Sequence, residues 1–246
     1  VVVNPILPEV FIYLERSQRV EELQLVLQRQ DRALLDLRTF RSRPFALAVI
    51  LFAFSMVALF GTLILLPIYV QNVLGYETLE SGLVLLPGGL LMGLLGPKVG
   101  RMVDTRGSRV VLVPGMILTA LALWSMGPFT DTTSIWQVLA THVLLSLGLA
   151  GVFTPLFSVS LGSLSGPLIS YGSATISTVQ QMAGAAGTAL FVTVMTLVST
   201  SVAGSPEAVD PHALAVGTRV AFLIGGVAAT VGAVIAFFVT EEPRAD

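Results

Sequence analysis

No cysteine occurs in the 246 residues, which removes disulfides, thiolate nucleophiles and cysteine-based zinc sites. Charge is nearly as scarce: Asp, Glu, Lys and Arg make up 11% of the chain, where soluble domains carry about a quarter. Only two histidines are present, His142 and His212, in unrelated settings. No metal-ligand spacing, Gly-x-Ser-x-Gly elbow or phosphate-binding loop accompanies them. Enzyme chemistry, a bound cofactor and nucleotide-driven work within this chain are therefore not expected. A net charge of −2, with no basic patch interleaved with aromatics, argues against nucleic acid. No charged segment followed by an apolar core opens the chain as a secretory signal would. Its first residue, Val1, points to a piece of a longer chain.

Apolar residues dominate instead. They make up 54% of the chain, and the mean hydropathy is +0.86. A soluble fold cannot hide so many helix-length apolar runs. Six of them approach the roughly 20 residues that a bilayer core requires: 45–70, 79–99, 110–129, 135–157, 175–202 and 220–240. None alternates as a half-buried strand would, and in hydrocarbon a continuous apolar run satisfies its backbone only as a helix. The fifth run is long, so its first turns are expected to project into the cytoplasm.

Three regions follow. Residues 1–43 read as a cytoplasmic linker, with 1–14 as the end of a preceding helix and 15–30 as an amphipathic helix at the membrane surface. Residues 44–240 form a six-helix bundle that opens at Pro44, a position needing no backbone donor. Residues 241–246 are a cytoplasmic tail. The expected fold class is an all-α membrane protein, a six-transmembrane-helix bundle in which three helices are repeated in inverted orientation. Leu66-Pro67-Ile68-Tyr69 near the end of the first run and Thr154-Pro155-Leu156-Phe157 near the end of the fourth are consistent with such a repeat.

Basic residues give the threading. Arg16, Arg19, Arg29, Arg32, Arg38, Arg41 and Arg43 precede the first run, and Lys98, Arg101, Arg106 and Arg109 flank the turn between the second and third. The loops 71–78, 130–134 and 203–218 contain no Lys or Arg, and Arg219 lies at a helix end from which it can snorkel. The positive-inside rule then places both ends of this piece and the 100–109 turn in the cytoplasm.

That turn, Gly-Arg-Met-Val-Asp-Thr-Arg-Gly-Ser-Arg, resembles the signature loop of the major facilitator superfamily, Gly-x-x-x-Asp-Arg-x-Gly-Arg-Arg/Lys. Gly100, Asp104, Gly107 and Arg109 occupy matching positions, while Thr105 and Ser108 replace two of its basic residues. Leu35-Asp36-Leu37-Arg38 followed by Phe40, Pro67-Ile68-Tyr69-Val70-Gln71, Leu86-Pro87-Gly88-Gly89 and Gln181-Met182-Ala183-Gly184-Ala185-Ala186-Gly187 resemble the fourteen-helix drug:proton antiporter branch. Gln180 stands where that branch often has arginine. The resemblance covers residues 32–240 and implies the C-terminal six-helix half of an exporter. Its partners would be an N-terminal six-helix half, two central helices, the lipid bilayer and a small organic substrate. A proton gradient would supply the energy.

Gly100, Arg101, Asp104, Arg106, Gly107 and Arg109 are candidates for a conformational-switch loop. Gly107 is suited to a positive φ, and Asp104 is expected to face the positive end of the following helix. The arginines can pair with Asp104 or with anionic lipid heads, as a latch between two helix arrangements or as a positive-inside anchor alone. Well inside the runs the one ionisable side chain is His142, either a proton- or substrate-binding group or an interhelical hydrogen-bonding one beside Ser146.

A cavity for amphipathic molecules could draw on Phe52, Ser55, Thr62 and Tyr69 in the first run, His142, Ser146, Phe153 and Phe157 in the fourth, and Gln181, Thr188, Phe191 and Met195 in the fifth. Ordinary packing, with hydroxyls returned to their own backbone, is the alternative. Gly88, Gly89, Gly93, Gly96, Gly148, Gly151, Gly184 and Gly187 are candidates for close helix contact. Export of drug-like compounds is the leading functional expectation. A non-transporting scaffold or sensor, or a half-transporter that pairs with itself, is the rival.

Overall fold

The computed structural model describes residues 37–239. The surface helix expected at 15–30 and the tail at 241–246 lie outside the described residues. Among the described residues there are six α-helices: α1 (Arg43–Asn72), α2 (Thr78–Arg106), α3 (Arg109–Met126), α4 (Ile135–Gly162), α5 (Gly166–Ala203) and α6 (Pro211–Ala236). All six are long and apolar enough to cross a membrane. Short 3-10 turns at Leu37–Arg41 and Pro206–Ala208 precede α1 and α6.

Local chemistry sets the helix starts. The Ser42 hydroxyl accepts from the Phe45 N–H at 3.3 Å, and Pro44 fills the first turn of α1, where no donor is required. The Glu77 N–H donates to the Glu80 carboxylate at 2.9 Å as α2 opens. Asp210 accepts from the Ala213 N–H at 2.8 Å ahead of α6.

Two boundaries differ from the sequence expectation. The charged segment 100–109 is mostly helix: α2 runs through Arg106, and only Gly107 and Ser108 separate it from α3. Gly107 makes the reversal at φ 87° and ψ 157°, a backbone conformation that favours glycine. Asp104 therefore occupies the last turn of α2, not the approach to α3. The residues at 101–106 are too polar for hydrocarbon yet compatible with a helix, so α2 continues beyond its apolar run. α5 starts at Gly166, nine residues before its apolar run, with Pro167 in its first turn, and reaches 38 residues, about 57 Å at 1.5 Å per residue.

The helices pack in an exchanged pattern. α1 contacts α4, α5 and α6; α3 contacts α4 and α6; α2 rests on α4. Exchanging α1 with α4, α2 with α5 and α3 with α6 maps the α1–α5 contact onto α4–α2 and the α3–α4 contact onto α6–α1. These are the relations expected of a three-plus-three repeat. The symmetry breaks where α5 packs broadly on α6 while α2 barely meets α3.

The interior has two apolar clusters. Phe45, Phe52, Leu112, Met116, Leu156 and Ile176 fill the end that carries the α2–α3 turn. Tyr69, Phe129, Phe191 and Phe222 anchor the other end.

Small residues set the closest approaches, since between helices in lipid the gain comes from packing. A β-carbon on Gly148 would lie 2.6 Å from Thr119, and one on Gly187 would lie 2.6 Å from the Val57 backbone. Gly151 approaches Gly115 less tightly, at 3.4 Å, and Gly184 lies against the Phe60 ring at 2.9 Å. Gly89, Gly93 and Gly96 differ from expectation: nothing lies within 4 Å of where their β-carbons would be. They lie off the α2–α4 seam and face away from the bundle.

Candidate functional site

α5 turns two chemically different faces outward and inward. Its inward face, Gly172, Thr175, Ile176, Ala183, Gly184, Gly187, Phe191 and Met195, packs on α1 and α6. Beside that seam an open groove of about 660 Å³ is lined by Phe60 of α1 and by Gln181, Gly184, Ala185, Thr188, Ala189, Val192 and Thr193 of α5. Gln181 and Thr188 reach it because they lie seven residues apart, two turns on one helix face. The lining is an aromatic edge, small aliphatics and three polar side chains on the outside of a rigid helix. Such a surface can hold a flat or amphipathic organic molecule by apolar contact and orient it by amide and hydroxyl hydrogen bonds.

The remaining cavity candidates are distributed differently. Phe52, Ser55, Thr62 and Tyr69 share one face of α1, and that face is buried in the bundle. The Ser55 hydroxyl donates to the Leu51 carbonyl at 2.8 Å. The Tyr69 hydroxyl donates to the Thr130 carbonyl, while its ring stacks on Phe129 with centroids 5.2 Å apart. Phe153 stacks on Phe52 at 6.2 Å, and Phe157 meets Phe52 edge to face at 4.8 Å.

Phe191 is fully buried, its ring held between Gly61 of α1 and Gly225 of α6, where added β-carbons would lie 2.6 and 2.5 Å away. Met195 backs onto Gly217, whose β-carbon would meet the Met195 carbonyl. These side chains close the bundle, whereas Gln181 and Thr188 face the groove. Phe60, Val192 and Thr193, which the sequence reading did not select, also line it. Phe60 sits in a uniformly apolar run, where only the packing of α1 distinguishes the outer side that it shares with Leu63 and Ile64.

His142 and Ser146 occupy a third place, the seam between α4 and α2. A β-carbon on Gly88 would collide with the Ser146 hydroxyl and lie 2.7 Å from the His142 ring. The Ser146 hydroxyl donates to the His142 carbonyl at 3.0 Å.

At the turn, Arg101, Asp104, Arg106 and Arg109 are exposed, while Gly100 and Gly107 are half-buried. Among the described residues no ion pair joins Asp104 to any of these arginines. The Thr105 hydroxyl donates to the Arg101 carbonyl at 2.8 Å, which ties it to the helix and leaves the charged groups facing outward.

The chain is 34% identical over 215 residues to a lincomycin resistance protein, LmrB, of Listeria monocytogenes, covering 86% of this chain and 46% of that relative. It is 34% identical to the Bacillus subtilis LmrB over 210 residues, covering 83% of this chain and 44% of the relative. It is 30% identical to a multidrug resistance protein B homolog of Mycobacterium tuberculosis over 204 residues, covering 76% and 38% respectively. The chain thus spans under half the length of these curated relatives. The family model of the Major Facilitator Superfamily matches residues 2–188. With six apolar helices of membrane-spanning length, this integral membrane chain belongs to the Major Facilitator Superfamily.

Proposed function

We propose that the chain is the C-terminal six-helix half of a secondary transporter that exports small, drug-like organic compounds in exchange for protons. The observation that carries this reading is the α5 groove, with Gln181, Thr188 and Thr193 set among apolar groups on the outside of a packed bundle. The names of the relatives, which are lincomycin and multidrug resistance proteins, favour the drug class.

α2 and α5 are the two least buried membrane-length helices, and α2 offers the open glycines Gly89, Gly93 and Gly96. A complementary six-helix half seated there would convert the groove into one wall of a central cavity. Rocking of the halves would then expose the cavity to each side in turn. The residues proposed for substrate contact in this half are Gln181 and Thr188, with Phe60 and Thr193 beside them. Asp104 and the arginines at the α2–α3 turn would latch one arrangement. Coupling carboxylates belong to the other half, because no Asp or Glu of the described residues lies well inside a span. Both ends of this piece face the cytoplasm, and the host membrane is a bacterial cytoplasmic membrane.

The test is export of a fluorescent cationic dye from energised cells expressing the full-length protein. Dye loss faster than in cells without it, abolished by a protonophore, supports the reading. Normal membrane insertion with no dye or drug movement favours a scaffold instead.

A further inference from the structure

The polar groups of the α5 groove are set apart by what they do not bond. Elsewhere on α5 the hydroxyls of Ser173, Thr175, Thr178 and Ser199 donate to the carbonyls of Ile169, Tyr171, Ala174 and Met195, four residues back, at 2.8–3.0 Å. A helix in hydrocarbon satisfies its hydroxyls in this way. Among the described residues, the hydroxyls of Thr188 and Thr193 and the amide of Gln181 make no such bond, either to their own helix or to a neighbour. Ser177 and Thr196, about one turn to either side, are open in the same way, and the remaining unbonded hydroxyls lie near the helix ends. Thr188 itself sits near the middle of the apolar run 175–202. Within the span, the open groups cluster at the groove.

An open polar group at membrane depth carries a cost unless something polar reaches it. The amide and hydroxyls of the groove can each donate and accept. No ionisable side chain joins them, so a charge laid on this wall would lose water without gaining a counter-ion. Between Gln181 and Thr188 the floor is Gly184 and Ala185, with the Phe60 ring against Gly184. Seven residues separate the two polar groups, a rise of about 10.5 Å at 1.5 Å per residue. A rigid apolar body of that length can lie along the floor with one polar substituent at each end.

We propose that the α5 groove selects compounds by uncharged hydrogen-bonding groups: Gln181 and Thr188 hold hydroxyl or amide substituents at opposite ends of a rigid apolar body. This rests on the transporter reading above and names the substrate class of its groove. A compound whose donors are methylated keeps the apolar contact and leaves the two side chains unpaired. The groove therefore discriminates by the substituents at the ends of the body and not by its bulk.

The test uses oestradiol, a neutral and rigid ring system with a hydroxyl at each end, and its dimethyl ether, which has no donor. Equilibrium binding of tritiated oestradiol to the purified full-length protein, and its displacement by the ether, give both affinities. Oestradiol is expected to bind the wild type. Thr188→Val and Gln181→Leu are each expected to weaken it roughly five- to tenfold, one hydrogen bond being worth about that factor, while the ether binds all three proteins alike. Thr188→Ser, which keeps the hydroxyl, should restore the wild-type affinity. Thr178→Val, at a hydroxyl already given to the Ala174 carbonyl, should change neither affinity.

Equal losses for both probes in both variants would show that Gln181 and Thr188 bond the other half or hold the shape of the groove, and would overturn the proposal. Oestradiol binding that neither variant changes would overturn it too, as would no binding to a wild type that exports dye. Export is read separately, in energised cells. The expected binding pattern in a protein that moves neither dye nor drug would contradict the transporter reading and leave the selectivity of the groove in place.

Discussion

Gly115 of α3 and Gly148 of α4 meet backbone to backbone: a β-carbon on Gly115 would lie 2.9 Å from the Gly148 carbonyl oxygen. Gly148 in turn presses on Thr119, whose hydroxyl is returned to the Gly115 carbonyl at 2.9 Å. Even if the Thr119 hydroxyl turned away, the Thr119 N and Gly115 carbonyl would remain in the way, so a methyl group must separate the helices. Gly148→Ala is expected to destabilise the bundle by about 1–3 kcal/mol, the usual cost of overpacking. Gly89→Ala, at an open position, should leave thermal unfolding in detergent unchanged. Equal melting of both variants would remove the distinction between packed and open glycines.

Phe191 joins α5 to α1 and α6 through Gly61 and Gly225, and its ring also meets Phe222 edge to face at 6.2 Å. Phe191→Ala leaves a cavity that three helices cannot close together. A loss on the order of 3 kcal/mol is expected, read as a lower unfolding temperature and reduced membrane abundance. Phe191→Leu should recover most of it.

The Tyr69 hydroxyl ties the end of α1 to the α3–α4 loop at Thr130, while the ring rests on Phe129. Tyr69→Phe removes only the hydrogen bond and should cost about 0.5–1.5 kcal/mol. Tyr69→Ala also removes the stacking and should cost distinctly more. Equal effects would show that the ring contributes little.

Groove substitutions should alter which compounds are exported without altering folding. Thr188→Val keeps the shape and removes a hydroxyl, and Gln181→Ala removes the amide. Each is expected to shift relative resistance among a panel of drugs by a few-fold at unchanged membrane abundance. Thr188→Trp should block most of them. An unaltered resistance profile in all three would place substrate elsewhere.

Asp104 stands exposed in the last turn of α2. In the proposed latch it would meet its partner only in the assembled transporter. Asp104→Asn is expected to lower transport several-fold with normal insertion. Unchanged transport would reduce the turn to a threading anchor.

Hydropathy alone gave the number, order and approximate limits of the helices, because the bilayer imposes one length and one polarity on each span. It ended α2 and began α5 too close to the apolar core, since 101–106 are charged and 166–174 carry Gly-Pro, a second glycine and two serines, yet both segments are helical. Spacing grouped Gln181, Gly184, Thr188, Phe191 and Met195 on one stripe, but the structure turns Phe191 and Met195 into the bundle and leaves Gln181, Gly184 and Thr188 on the groove.

It could not say whether the face bearing Ser55, Thr62 and Tyr69 looked toward a cavity or toward other helices. Small hydroxyls that bond their own backbone suit both settings. The pairing of Gly88 with His142 was illegible for another reason. It depends on which helix lies beside which, and no local pattern in either segment encodes that neighbour. The positive φ of Gly107 was readable because glycine suits a reversal, although the reversal is only Gly107 and Ser108 and not the whole of 100–109.

The threading of the six helices is tested most directly by labelling single cysteines, since this chain has none of its own. Thr105→Cys, beside the α2–α3 turn, and Thr132→Cys, in the α3–α4 loop, are treated with a membrane-impermeant maleimide in intact cells and in everted vesicles. Thr105→Cys should react only in everted vesicles and Thr132→Cys only in intact cells. Labelling of Thr105→Cys from outside intact cells would contradict both the orientation and the cytoplasmic latch built on it.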